Sequence, residues 1–358
     1  MSAPYPLLLE PVILEKVWGG RRLAALGKSL AKPDARYGES WELADMGSTS
    51  ASGAGGGAVR SKVVNGAMAG KTIGEAWGAW GDRLLQRSLR GSGVGAVSSG
   101  SESRTTFPLL IKFLDASENL SVQVHPSLAY AAAHAGANLK TECWYILEAD
   151  AGAVIYKGIK PGVTRAAFEK LSRANDPQIV DAMIAVPAVA GQMHNLPSGT
   201  VHALGAGVVV AEVQTPSDTT FRLYDWGRQG RALHVEESLA CASFEGEAGH
   251  AELLSGLTVA SLQEPEMCRR LVETEFFTVD EVRPLDGDGV TIGFSCKGRG
   301  GCFVLVVIGG SGELTARDGS QFEPVPLRKG STVLVPGSIG SAAMLKAERG
   351  MRVLRVGI

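Results

Sequence analysis

The chain has 358 residues, with 35 Lys and Arg against 37 Asp and Glu and a net charge of −2. That length suits about two domains, each with a proper core, and the near-neutral balance leaves no electrostatic footprint for nucleic acid or an anionic membrane. Five scattered cysteines without a C-x-x-C pair exclude a disulfide framework. With no basic N-terminal stretch and no apolar run longer than "CFVLVVIGG", they lead to the expectation of a cytoplasmic protein.

In chain order, two Gly/Ser-rich stretches, 47–59 and 91–104, read as loops. They precede the residues that carry chemistry, so they are not expected to form the site. Between them "KTIGEAWGAWGDRLLQ" predicts a helix, with Thr72 and Glu75 at capping-box spacing. Short β-like runs follow, punctuated by Gly and Pro: 107–114, 121–125, 141–149, 153–159, 207–215 and 220–226. Their spacing suggests a sandwich or barrel rather than βαβ units. Ser127 can cap a helix in which Tyr130 stacks on His134. "NDPQIVDAMIAV" predicts a helix capped by Asp176, with Ile179, Val180, Met183 and Ile184 on one face. "LHVEESLACASF" predicts another, with His234 at its cap. After about residue 250, "TVDEV", "CFVLVVIGG", "GELTA" and "STVLVPGS" read as strands of a second β domain.

The run "SVQVHP" places Gln123 and His125 two apart, so a strand aims both at one face. Glu142 opens a later strand, with Lys140 on the same face. Gly191, Pro197, Gly199 and His202 form a G-x5-P-x-G-x2-H turn that resembles the second motif of cupin barrels, although Ala206 stands where that motif has Asn. In a cupin the first motif supplies two ligands at i and i+2 and a later carboxylate, and Gln123, His125 and Glu142 fit that arrangement. Such a mixed nitrogen and oxygen set suits zinc, and also iron or manganese. Lys112 interrupts the apolar run "LLIKFL", where a charge needs a cavity or water. Glu212 similarly interrupts "VVVAEVQ" and reads as a base or as a partner of a ligand histidine.

The successive blocks "EKVWGG", "YGESWELA", "FPLLIKFLDASENLSVQVHP", "LKTECWYIL", "LPSGTVHALGAG" and "EVQTPSDTTFRLYDWGR" resemble those of the type I mannose-6-phosphate isomerases, in their shorter bacterial form without a long helical domain. The resemblance is strong from about residue 6 to 245 and weaker beyond. It implies an all-β-dominated fold of two cupin-type jelly-roll barrels with added helices around the first. Residues 1–248 would be catalytic and 249–358 a second cupin-like domain without a metal site. It further implies one zinc per chain on Gln123, His125, Glu142 and His202. Arg222, Lys140 and Glu212 would act in catalysis, and Ser121, Lys112 and Asp218 would bind the sugar phosphate.

Plainer readings stand beside these. Arg222 pairs with Asp225 or Asp218 at a surface, Lys140 is a rim charge, and Trp18, Trp41, Trp144 and Trp226 are core or wall. Rival functions are a non-haem iron oxygenase, since two histidines and a carboxylate suffice for Fe(II), and a non-catalytic sugar-phosphate-binding regulator. In the second domain Gly330 and Pro336 repeat the glycine–proline spacing, with Ser341 where a histidine is expected.

Overall fold

The protein is described from a computed structural model covering residues 2–50, 53, 55–86, 106–245, 256–257, 259–260, 267–284, 290–293, 301–317 and 321–358. The expected loop 91–104, His250 and Cys296 lie outside the described residues.

Alternation along the strands builds the fold. In Leu110–Ala116, the even residues Lys112 and Leu114 face one side, while Ile111 and Phe113 face the other. In Val208–Gln214, Val208, Val210 and Glu212 share the first side, and Val209, Ala211 and Val213 the second. These strands lie in a seven-stranded sheet together with Val259–Ala260, Met193–Leu196, Glu142–Ala149, Val12–Gly20 and Tyr37–Leu43. A five-stranded sheet of Met183–Pro187, Val154–Ile159, His202–Leu204, Val122–Val124 and Phe221–Tyr224 closes over its first side. Ile155 and Leu204 of that sheet pack there on Leu114, Trp144, Val208 and Val210. The result is the first jelly-roll barrel.

The second barrel pairs another seven-stranded sheet with a four-stranded one. Phe303, Leu305, Val333, Leu345 and Val353 fill its interior. The two seven-stranded sheets meet back to back, with Ile111, Phe113, Val209, Ala211 and Val213 packed in one cluster with Val304, Val306, Leu354 and Val356. The all-β-dominated, two-barrel cupin architecture read from the sequence is the one observed.

Two strands cross the proposed division at residue 248. Leu7–Glu10 pairs with Thr332–Val335 of the second barrel, and Val259–Ala260 pairs with Met193–Leu196 of the first. Helices cover the outer face of the five-stranded sheet, where Phe168, Ile179, Leu239 and Phe244 meet Val122, Val124 and Leu223.

The capping box at Thr72 and Glu75 forms and starts the helix Ile73–Trp80. Ser127 caps Leu128–Ala133, in which Tyr130 stacks on the C-cap residue His134 at 3.9 Å. Two expectations are corrected. Asp176 does cap a turn, but Pro177–Val180 is a single 3-10 turn, and Met183–Pro187 is a strand paired with Val154–Ile159. The β-branched, apolar end of that segment completes a sheet edge, which outweighs its helical spacing. His234 takes the N-cap position of Val235–Cys241 without capping it; its Nδ1 instead accepts the Arg222 amide at 3.3 Å. The helix Arg165–Arg173, capped by Thr164, was not anticipated from the sequence.

Candidate metal centre and pocket

Two cross-strand rows face one another inside the first barrel. On the seven-stranded sheet, register places Trp41 opposite Lys112, Lys112 opposite Glu212, Glu212 opposite Trp144, and Trp144 opposite His194. On the five-stranded sheet it places Lys157 opposite His202, His202 opposite Gln123, and Gln123 opposite Arg222. Directly opposed residues in an antiparallel pair point to the same face. The rows touch where the Trp144 ring meets His202 edge-on, with centroids 5.3 Å apart.

At this junction His125, Glu142 and His202 are all buried, and one ligand atom from each lies within 4.8 Å of the others. His125 Nδ1 donates to the Thr219 carbonyl at 2.9 Å, and His202 Nδ1 donates to the Thr200 carbonyl at 2.8 Å. A carbonyl only accepts, so each ring, when neutral, carries its proton on Nδ1 and presents an Nε2 lone pair. Those nitrogens point at a carboxylate: His202 Nε2 is 3.1 Å from Glu142 Oε1, and His125 Nε2 is 3.4 Å from Oε2. Among the described residues, no partner meets hydrogen-bond geometry at either Glu142 oxygen. Lone pairs that face one another in a buried space call for positive charge between them. Lys140 supplies some, with Nζ 2.7 Å from Glu142 Oε2 and 3.0 Å from His125 Nε2. Burial, then Lys140, pushes the His125 imidazole down to about 3. Burial alone would raise the Glu142 carboxyl, but the Lys140 ammonium beside it holds it well below the usual range. The donor set therefore fits a divalent cation.

Gln123 belongs to the cluster but turns its amide the other way. Its Nε2 lies 3.3 Å from His202 Nε2, and its Oε1 accepts the Ser121 hydroxyl at 3.2 Å. Ser121, expected to bind the sugar phosphate, makes this bond and also lines the pocket described next.

A pocket opens beside the centre, lined by Lys112, Lys140, Glu212, Asp218, Arg222, Ser121 and Gln123. Every residue expected for catalysis or substrate binding is thus brought to one cavity with the metal cluster. Lys112 Nζ is 3.2 Å from Glu212 Oε1 and sits over the Trp41 ring at 4.7 Å. Burial opposes its charge, but Glu212, Glu39, Glu142 and Asp218 outweigh burial and raise its pKa above the ordinary value. Glu212 Oε2 accepts the Trp144 indole N–H at 2.9 Å, so the carboxylate meets His202 through a tryptophan rather than directly. Arg222 is buried rather than at a surface, and its Nη1 donates to the Ala232 carbonyl at 2.7 Å. Burial, helped by Arg231, lowers it to about 10. Asp225 pairs with Arg228 at 2.8 Å and Arg231 at 3.0 Å.

Lining residues not singled out as site residues from the sequence include Lys16, Trp41, Glu39, Gly53 and Arg231. Alternation could have found the first three, since Lys16 and Trp18, like Glu39 and Trp41, share a strand face with the site. Arg231 and Gly53 lie in loops, where no period applies. Gly53 also corrects the expectation that stretch 47–59 stays clear of the chemistry. Arg21 and Arg22, which follow the "EKVWGG" block, donate to the Lys32 and Ala35 carbonyls and to Asp150.

No protein-family model matches the chain. It is 32% identical over 342 residues to "Mannose-6-phosphate isomerase" of Streptococcus mutans, with 94% of both chains covered. It is also 32% identical over 345 residues to "Mannose-6-phosphate isomerase ManA" of Bacillus subtilis, again with 94% of both covered. Among solved structures, the mannose 6-phosphate isomerase from Bacillus subtilis aligns with a TM-score of 0.75 and 27% identity over 99% of both chains. A mannose 6-phosphate isomerase bound with zinc and yttrium shares the fold at a TM-score of 0.69 and 15% identity, covering 98% of this chain and 99% of that one. With a buried His125, Glu142 and His202 cluster opening on a cationic pocket, and relatives alike over nearly the whole chain, the protein belongs to the mannose-6-phosphate isomerase family.

Proposed function

We propose that the protein is a zinc-dependent aldose–ketose isomerase that interconverts mannose 6-phosphate and fructose 6-phosphate. The observation that carries this reading is the buried His125, Glu142 and His202 triad, its lone pairs converging beside a pocket with four further basic groups, Lys16, Lys112, Arg222 and Arg231. Zinc is supported by the nitrogen and oxygen donor set and by its presence in a structure of the same fold. Gln123 completes the set once its amide turns over, which swaps the atom facing His202 and leaves Ser121 Oγ to accept the amide N–H. When bound, the metal would polarise the substrate carbonyl and its neighbouring hydroxyl, easing loss of the carbon-bound proton.

The chain's own residues do the rest. Lys112 and Arg222, held charged in a largely buried wall, stabilise anionic oxygen as the enediol forms. Glu212 Oε1, which lies 3.2 Å from the Lys112 ammonium, takes the proton from one carbon and returns it to the other. Asp218 orders the sugar hydroxyls, and the guanidinium groups of Arg222 and Arg231 suit a phosphate dianion. That cationic wall favours a sugar phosphate over the apolar or aromatic substrates of an iron oxygenase. Among the described residues, no helix is long and apolar enough to cross a membrane. Cytoplasmic residence is part of this proposal and rests on composition.

The test measures metal content and mannose 6-phosphate turnover in the wild type, Glu142→Ala, Arg222→Ala and Glu212→Gln. About one zinc per chain and turnover are expected in the wild type. Glu142→Ala should lose both, Arg222→Ala should lose rate but keep metal, and Glu212→Gln should keep metal while kcat falls roughly 10²–10⁴-fold. A wild type that holds metal without turnover sinks the isomerase reading. Iron with oxygen consumption would then favour the oxygenase, and tight sugar-phosphate binding alone would favour the regulator.

A further inference from the structure

The Gly/Ser-rich stretch near the N-terminus is tied to Asp218. The Ser50 amide donates to Asp218 Oδ1 at 2.7 Å, and the Ser50 hydroxyl donates to the Asp218 carbonyl at 3.2 Å. Gly53 then closes on the same residue so tightly that a Cβ built there would lie 2.3 Å from Asp218 Oδ2 and 2.4 Å from its carbonyl oxygen. Real Cβ contacts are not that short, and Gly53 has no positive φ to explain its identity. The position needs glycine for the approach, not for the backbone turn. Gly57, in the same stretch, is the contrast: a Cβ there meets nothing within 4 Å.

Asp218 is 5% exposed and acts on Lys112 across the pocket that Gly53 also lines. One oxygen of its carboxylate is fixed by the Ser50 amide, and the other is walled by Gly53. We propose that Ser50 and Gly53 are positioning residues for substrate binding: they lock the Asp218 carboxylate, and through it one wall of the sugar pocket. A loop that composition marks as filler thus sets the shape of the site from a distance of more than 160 residues along the chain. The inference rests on the isomerase reading only in its choice of substrate.

The experiment is steady-state kinetics on mannose 6-phosphate, with metal content measured on the same samples. Gly53→Ala should raise KM about tenfold with bound metal unchanged. Gly57→Ala should match the wild type. Ser50→Ala, which keeps the amide and loses only the hydroxyl bond, should raise KM about threefold and guards against a Gly53→Ala protein that fails to fold. In an Asp218→Ala background, Gly53→Ala should cost much less than it does alone, because the carboxylate it misplaces is gone. Equal KM for Gly53→Ala and wild type, or effects that multiply fully with Asp218→Ala, would overturn the proposal. So would a Gly57→Ala defect as large as that of Gly53→Ala. Absence of wild-type turnover would sink the isomerase reading instead, so the two failures are separable.

Discussion

Lys112 shows how much one residue carries in this barrel. It is buried between Glu212 and the Trp41 ring, with Glu39 and Asp218 acting on it. Replacing it by methionine leaves buried carboxylates without their cation, and the expected loss of stability is about 3–5 kcal/mol. Chemical denaturation of Lys112→Met checks this, and adding Glu212→Leu should restore a large part of the loss; no recovery would mean that the pair is not the cause. His194 makes a different argument. It is fully buried, and neither ring nitrogen has a hydrogen-bond partner among the described residues. Burial, with Lys157 adding, lowers it from the ordinary 6.5 to about 4. The unfolded chain therefore takes up the proton first as pH falls. Stability from this group is full above pH 6.5 and is lost as pH falls towards 4. Denaturation midpoints of His194→Leu should fall less steeply across that window than those of the wild type, and parallel curves would sink the assignment.

At the scale of elements, the turn before His202 does more than change direction. Gly199 adopts φ +88, and its amide donates to the His125 carbonyl at 3.1 Å. The turn thus joins the backbones of two metal-cluster residues. A Cβ at Gly199 would meet Ser243 Oγ at 3.0 Å and the Cys241 carbonyl at 3.2 Å. Gly199→Ala should cost about 1–2 kcal/mol from the left-handed conformation alone and should lower metal occupancy, read by metal analysis beside a melting curve. Full occupancy with unchanged stability would show that the turn tolerates a side chain. Strands and turns of this kind were legible because alternation and glycine punctuation are local signals. The segment 175–186 was misread because its apolar spacing satisfies a helix, while its partner strand Val154–Ile159 is fixed only by the sheet.

Across the whole molecule, the two barrels share structure rather than merely touching. The Gly330 turn of the second barrel packs against the first so closely that a Cβ there would lie 1.8 Å from the Leu26 carbonyl. Beside it Lys28 Nζ bridges Glu42 at 2.6 Å and the Gly330 carbonyl at 2.7 Å, and Thr332 donates to Glu42 at 3.1 Å. The glycine–proline spacing that delivers His202 in the first barrel serves as a docking turn in the second. Given this seam, the apolar layer between the seven-stranded sheets and the strand Leu7–Glu10 lent to the second barrel, the full chain should unfold in one calorimetric transition. A fragment ending at residue 248 should aggregate, since Ile111, Phe113 and Val209 would face water. Two well-separated transitions, or a soluble folded fragment, would instead support independent domains.

The sequence by itself determined the strand-rich class, six strands of the first barrel, the cluster of His125, Glu142 and His202, and the basic and acidic residues around it. Each of these is written in local period, turn chemistry or a block resembling a family. Only the tertiary structure decided that Trp41, Lys112, Glu212, Trp144 and His194 form one row, with Lys157, His202, Gln123 and Arg222 facing it. It alone turned Ser121 onto Gln123 and set Gly53 against Asp218. Register between distant strands and the approach of a loop to a barrel depend on how surfaces far apart in the chain fit together, which no local pattern records.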